Sequence, residues 1–124
     1  MISEELFAYL SSDPGVSALV GTRIYPERLP QEPTYPCLLY LRVDITPDYS
    51  QDGEDETHNG RWQISAFAKT YSDSQSLVSV VRQAMRGWQA VSGCPAYFLN
   101  QQPIPQPQTQ VYQQALDFDL YWRE

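Results

Sequence analysis

Three groups of residues in this chain have types and spacings that could do chemistry. Asp48, Ser50, Asp52 and Gly53 match the opening of a calcium loop, with oxygen side chains at alternate positions and glycine at the sixth. A calcium loop needs a bidentate glutamate at its twelfth position and helices on either side. Here the twelfth residue is Asn59 and the flanks read as strands. The stretch, which also carries Tyr49, Glu54, Asp55 and Glu56, is therefore read as a solvated hairpin tip or a partner-contact loop. No metal is assigned to it.

The second group is Asp117 and Asp119, two apart on one face of a strand. General acid–base work needs one carboxyl held in an apolar cleft with a raised pKa. The residues expected on the same face of other strands include Arg42, Arg61 and Lys69, which favours cross-strand charge pairing. The third group is single residues. His58 is the only histidine and stands in the polar loop without an evident Cys, Ser or His partner. Cys37 and Cys94 have neither zinc-site spacing nor a CxxC arrangement, and read as two reduced, mostly buried thiols. No GxSxG, HExxH or P-loop occurs. The chain reads as a protein that is not an enzyme and takes no cofactor.

The elements that carry these residues follow from periodicity. Tyr112, Gln114, Leu116, Phe118, Leu120 and Trp122 alternate with Gln113, Ala115, Asp117, Asp119 and Tyr121, the period-two signature of a strand with one buried face. Burying Leu116, Phe118, Leu120 and Trp122 contributes roughly 6–12 kcal/mol of transfer free energy before entropy is subtracted. Such a strand is about 36 Å long, enough to cross most of a domain of this size. Ser72 to Trp88 reads as the main helix, started by a Ser72/Gln75 capping box with Asp73 in its first turn. Its apolar residues Leu77, Val78, Val80, Val81, Ala84, Met85 and Trp88 span a wide arc suited to lying flat on a sheet, with Arg82, Gln83 and Arg86 opposite.

Upstream, residues 3–12 form a short helix with Leu6, Phe7 and Leu10 on one face. Asp13 caps a second helical turn that begins at Pro14 and stops at Gly21. Ile24-Tyr25 is a brief extended piece. The proline-rich stretch from Pro26 to Pro36 is an extended connector. Cys37–Ile45 and Arg61–Lys69 pair as a hairpin with an oversized acidic tip, and Trp62, Ile64, Ala66 and Ala68 point inward. After Gly93-Cys94-Pro95 comes a short strand, Ala96–Gln101, and then a Pro/Gln turn leads into the last strand.

The expected fold is one α+β domain over residues 1–124. It has a mostly antiparallel four-stranded sheet (about 37–45, 61–69, 96–101 and 112–122), packed by a main helix (about 72–88) with a short N-terminal helical segment. The order of strands across the sheet does not follow from the pattern. The outer sheet face is expected to show Tyr40, Phe67 and Tyr121 among charges, an interface-like composition, unless the N-terminal helix covers it. With the acidic residues Asp48, Asp52, Glu54, Asp55 and Glu56 and their neighbour Tyr49, these are the candidate contact residues.

At 124 residues with a net charge of −7 and a sequence pI near 4.5, the chain does not suit gripping nucleic acid by its phosphates. No apolar run approaches the ~20 residues that span a bilayer, and Ser3-Glu4-Glu5 is not a basic leader, so a cytosolic start is expected.

With these residues in view, the chain resembles the tail completion, or tail terminator, family of long-tailed (siphovirus-type) bacteriophages. The likeness runs through Asp13-Pro14, Ala18-Leu19-Val20-Gly21, Arg23-Ile24-Tyr25-Pro26, Pro30-Gln31 and Tyr35-Pro36. It continues in Tyr40, Asp48-Tyr49-Ser50 and Asp52-Gly53, and closes with Leu116-Asp117-Phe118-Asp119-Leu120-Tyr121-Trp122. It is weak between Ser92 and Gln110, and it is carried by the order of the motifs over the whole chain.

The resemblance implies a structural virion protein of the tail and neck. It would cap the tail tube, end tube polymerisation and form the head–tail joining surface, usually as a hexameric ring. It also implies the tail tube protein and a head-completion or neck protein as partners, no membrane, and assembly in the cytoplasm of the bacterial host. DNA would pass through the ring without specific binding, and the family brings no catalytic residues. Two other readings stand beside it: another neck component such as a head-closure or adaptor protein, and a small non-phage α+β protein-binding module.

Overall fold

A computed structural model describes residues 2–43, 57–89, 93–105 and 110–123. Its first helix, α1 (Ile2–Ser12), is followed directly by α2 (Pro14–Val20), whose start is capped as its sequence requires. The Asp13 carboxylate accepts from the Val16 amide at 3.0 Å, and Gly21 ends the helix with φ 59°, a conformation that a Cβ would disfavour. Leu6, Leu10, Val16 and Val20 are fully buried, so both helices turn their apolar sides into one core.

The strands are β1 (Ile24–Pro26), β2 (Cys37–Arg42), β3 (Thr57–Ala68), β4 (Ala96–Ile104) and β5 (Tyr112–Arg123). They form a five-stranded sheet in the order β1-β2-β3-β5-β4. All neighbours are antiparallel except β1 and β2, where Ile24 pairs with Leu38 in parallel. The α+β, mainly antiparallel reading holds, with one strand added: the brief Ile24-Tyr25 piece is the fifth. Arg23 fixes it there. Its guanidinium donates to the Leu19 carbonyl at 3.2 Å and the Pro36 carbonyl at 3.0 Å, tying the end of α2 to the head of β2.

Between β3 and β4 the chain makes α3 (Tyr71–Arg86). Its cap is Thr70, whose hydroxyl accepts from the Asp73 amide at 3.1 Å, so the helix begins earlier than the Ser72 box suggested. Leu77, Val78, Val81, Ala84 and Met85 are buried against the sheet, as the stripe predicts, and Trp88 just beyond the helix is 2% exposed. Trp88 Nε1 donates to the Tyr121 carbonyl at 3.1 Å, and its ring meets Tyr9 edge-on at 5.3 Å. The Tyr9 hydroxyl donates to the Ala84 carbonyl and fills the space where a side chain on Gly87 would sit. That hydrogen bond and ring contact hold α1 against the end of α3.

Leu6 and Leu10 share a core with Leu38, Ile64, Leu116, Phe118, Leu120 and Trp122, so all three helices lie on the same side of the sheet. α1 therefore does not cover the outer face. Two strands run further than expected. β3 starts at Thr57, which places His58 in a strand opposite Trp122, and β4 continues to Ile104 through Pro103. Pro103 is tolerated because β4 is an edge strand, where a missing amide leaves no interior ladder bond unmade. β2 ends at Arg42, and positions 44 and 45 of the expected strand lie outside the described residues.

Candidate functional site

Residues paired directly across antiparallel strands share a sheet face. On the open face Asp117 lies opposite Gln63 and is flanked by the Arg61–Asp119 pair. It is 3% exposed, and each oxygen has its own donor: Arg61 Nη2 at 2.9 Å on one and Gln63 Nε2 at 3.1 Å on the other. Such a carboxylate is tied into the sheet by two side-chain donors and does not stand in an apolar cleft. This is the cross-strand pairing expected of it. The other two cations do different work. Arg42 lies on the helix side, 5.5 Å over the Trp122 ring, and Lys69 stands 6.0 Å over Tyr35.

Beside Asp117, Ser65 and Ala115 are 1% exposed although they face away from the helices. Gln113 reaches Ser65 with Nε2 to Oγ at 3.4 Å, and Arg61 and Gln63 close over Asp117. The centre of the open face is thus roofed by the sheet's own long polar side chains. At its margin Tyr121 meets Tyr97 edge-on at 5.9 Å. The neighbouring Asp119 carboxylate, with lesser help from burial and Tyr97, pushes the Tyr121 phenol above its ordinary value.

Of the three aromatic residues expected on the outer face, Tyr121 is there and partly buried. Phe67 is on that face, opposite Cys37 and Gln113, but only 7% exposed. Tyr40 is a correction. It is 3% exposed in the core, 6.3 Å from Trp62, because β2 turns Leu38 and Tyr40 towards the helices and Leu39 and Leu41 outward. A strand with apolar residues on both faces gives alternation nothing to choose between. Asp48, Tyr49, Asp52, Glu54, Asp55 and Glu56 lie outside the described residues.

Neither cysteine is in a disulfide, and both are buried. Burial pushes the Cys37 thiol up to about 11, against the opposing pull of Arg23, which leaves it protonated and unreactive near neutrality. Among the described residues no group of three or more His, Cys, Asp or Glu side chains could hold a metal ion.

The exposed features sit at one lateral side. Tyr97 is 55% exposed, Phe98 41% and Leu99 50%, on the edge strand β4, whose register shifts between Phe98 and Asn100. That irregularity blunts the edge without hiding its apolar side chains. The sequence carried a signal for them, since three large apolar residues in succession break strand alternation. Between α3 and β4 lies a groove of about 360 Å³ whose lining includes Gln75, Ser79, Arg82, Gln83, Arg86 and Gln101. The Arg82 guanidinium lies 4.2 Å over the Phe98 ring and joins groove to edge. At the far end of the same edge a wider depression of about 710 Å³ is bordered by Tyr71, Ile104 and Tyr112. Tyr71 and Tyr112, 56% and 47% exposed, meet edge-on there at 6.1 Å.

The model of the family described as tail completion protein gp17 matches residues 4–123. No curated protein matches the chain. Among solved structures, a chain of the virion of the native gene transfer agent (GTA) particle superposes with a TM-score of 0.68 at 17% identity, over 92% of this chain and 88% of that one. At that identity the likeness is one of fold.

Proposed function

This chain belongs to the tail completion protein gp17 family of phage tail structural proteins, and we propose that it caps the finished tail tube. In this reading it ends tube polymerisation and presents the surface on which the head docks, as a ring of six copies. The family match over nearly the whole chain carries the reading. The molecule's shape supports it. Its two sheet edges are unlike: a three-residue β1 on one side, and β4 with its exposed aromatics and adjoining groove on the other. Unlike sides suit the head-to-tail contact of a ring, in which one patch meets a different patch on the next copy.

The task needs no chemistry, and Asp117, bound by two donors, is built into the sheet and not poised for proton transfer. The ring's partners are the tail tube protein and a head-completion or neck protein. A net charge of −7 suits a conduit through which DNA passes without adhering, since like charge opposes binding. Assembly takes place in the host cytoplasm.

Adding the purified protein to elongating tail tubes tests the function. Growth should stop at amounts far below the tube protein, and negative-stain averages should show six-fold density with an open centre at one tube end. Tubes that keep growing with bare ends would overturn the proposal.

A further inference from the structure

The groove between α3 and β4 has an unusual charge for this protein. Arg82 and Arg86 stand at i and i+4 on α3, an arrangement that costs an isolated helix a few tenths of a kcal/mol. Among the described residues no carboxylate lines the groove, and neither guanidinium has an ion pair. In contrast, Arg61 is committed to Asp117, Arg23 to two carbonyls and Arg42 to Trp122. The lining amides Gln75, Gln83 and Gln101 can donate as well as accept. The exposed Phe98, lying under the Arg82 guanidinium, stands beside the groove as an apolar rim. Its complement is an anionic segment with an aromatic or aliphatic side chain.

Residues 44–56 of this chain have that composition. They hold Asp44, Asp48, Asp52, Glu54, Asp55 and Glu56, no Lys or Arg, and Ile45 and Tyr49. They join β2 to β3, whereas the groove flanks β4, with β5 between β3 and β4. The described ends of that stretch and the groove thus stand on different strands of the sheet.

We propose that the Arg82–Arg86 groove seats the acidic 44–56 stretch of a neighbouring copy. The proposal rests on the ring reading and names the contact that closes it. Guanidinium–carboxylate pairs at a half-exposed groove are individually weak and screened by salt, so the contact acts through several pairs at once and weakens as ionic strength rises.

Charge reversal tests it, read as the amount of protein bound to purified tail tubes of the same particle. The groove variant, Arg82→Glu with Arg86→Glu, and the loop variant, Asp52→Lys with Asp55→Lys, should each bind tubes about tenfold or more weakly. Arg86→Glu alone, which disturbs no contact among the described residues, should give a smaller loss in the same direction. Mixed in equal amounts, groove and loop variants should regain wild-type binding, because an alternating ring pairs every reversed groove with a reversed loop. Rescue only when both reversals are placed in one chain would put the contact within a copy and overturn the proposal. Failure of every rescue would assign the groove to another protein and also overturn it. Single variants that bind as wild type would sink the groove while leaving the capping function standing. Wild-type protein that never binds tubes would refute the capping function itself, and the ring contact with it.

Discussion

Replacing Asp117 with Asn keeps the shape of the side chain and removes its charge. In the native sheet the two carboxylate oxygens accept from Arg61 at 2.9 Å and Gln63 at 3.1 Å. An Asn offers one acceptor, and its amide then turns two hydrogens towards a second donor. One charge-assisted hydrogen bond is lost and the other weakened. Hydrogen bonds to a charged group contribute about 1.5–3 kcal/mol each when buried. The Asp117 side chain is 5% exposed, but that of Arg61 is 50% exposed and can rehydrate, so the full penalty of a broken buried pair does not apply. The expected loss is about 1–2 kcal/mol, or roughly 4–8 °C in melting temperature for a domain of this size. Thermal and urea melts at pH 7 measure it. In a double-mutant cycle with Arg61→Ala the two sites should couple by about 0.5–1.5 kcal/mol. A melting temperature within 1 °C of wild type, or no coupling, would refute the claim that both donors are committed to this carboxylate. An Asn variant that melts normally yet fails to cap tubes would refute the structural role and give Asp117 a part in assembly.

Trp88→Phe removes the donor to the Tyr121 carbonyl and shrinks the ring that meets Tyr9, and should cost about 1–3 kcal/mol in urea melts, with α1 the first element to lose amide protection. Thr70→Ala removes the acceptor for the Asp73 amide and should cost about 1 kcal/mol, whereas Ser72→Ala, at a position that is not the cap, should cost less; the two melts compared decide it. Burial holds the Cys37 thiol protonated, raising it from 9.0 to about 11, so its contribution to stability is complete below pH 9 and is lost as pH rises through 11. At pH 9 its alkylation by iodoacetamide should be roughly fiftyfold slower in native protein than in urea, from thiolate fraction alone.

Much of the architecture is legible in the sequence because its elements obey single periods. The α3 stripe from Leu77 to Met85 and the β5 alternation from Leu116 to Trp122 each have one apolar face, and both are buried as read. Local chemistry was equally plain at Asp13, where a capping carboxylate, Pro14 and Gly21 agree. What escaped the sequence depends on pairing between distant segments. β1 has three residues and becomes a strand only because Arg23 braces it against β2. The faces of β2 are both apolar, so the assignment of Tyr40 rests on register with Ile64, which no local pattern encodes. Pro103 argued against a strand until β4 proved to be an edge. The groove beside β4 was half-visible: Arg82 and Arg86 marked a polar helix face, but that the face borders an exposed aromatic edge depends on strand order.

That order also limits where another copy can bind. A partner landing on the centre of the open face would have to displace Gln113 from Ser65, and Arg61 and Gln63 from Asp117. It would strip water from the half-exposed Arg61 without offering the carboxylate a better donor, and such desolvation offsets what an added contact returns. The opposite side of the sheet is filled by α1, α2 and α3. The lateral margins carry no such cost. One of them is finished by a three-residue strand ending in Pro26, which has no amide to donate; the other carries Tyr97, Phe98 and Leu99 beside two arginines. Because the margins differ, two copies cannot pair like with like through both at once. A ring built through these unlike margins would be head to tail, and head-to-tail contact either closes or runs on as a filament.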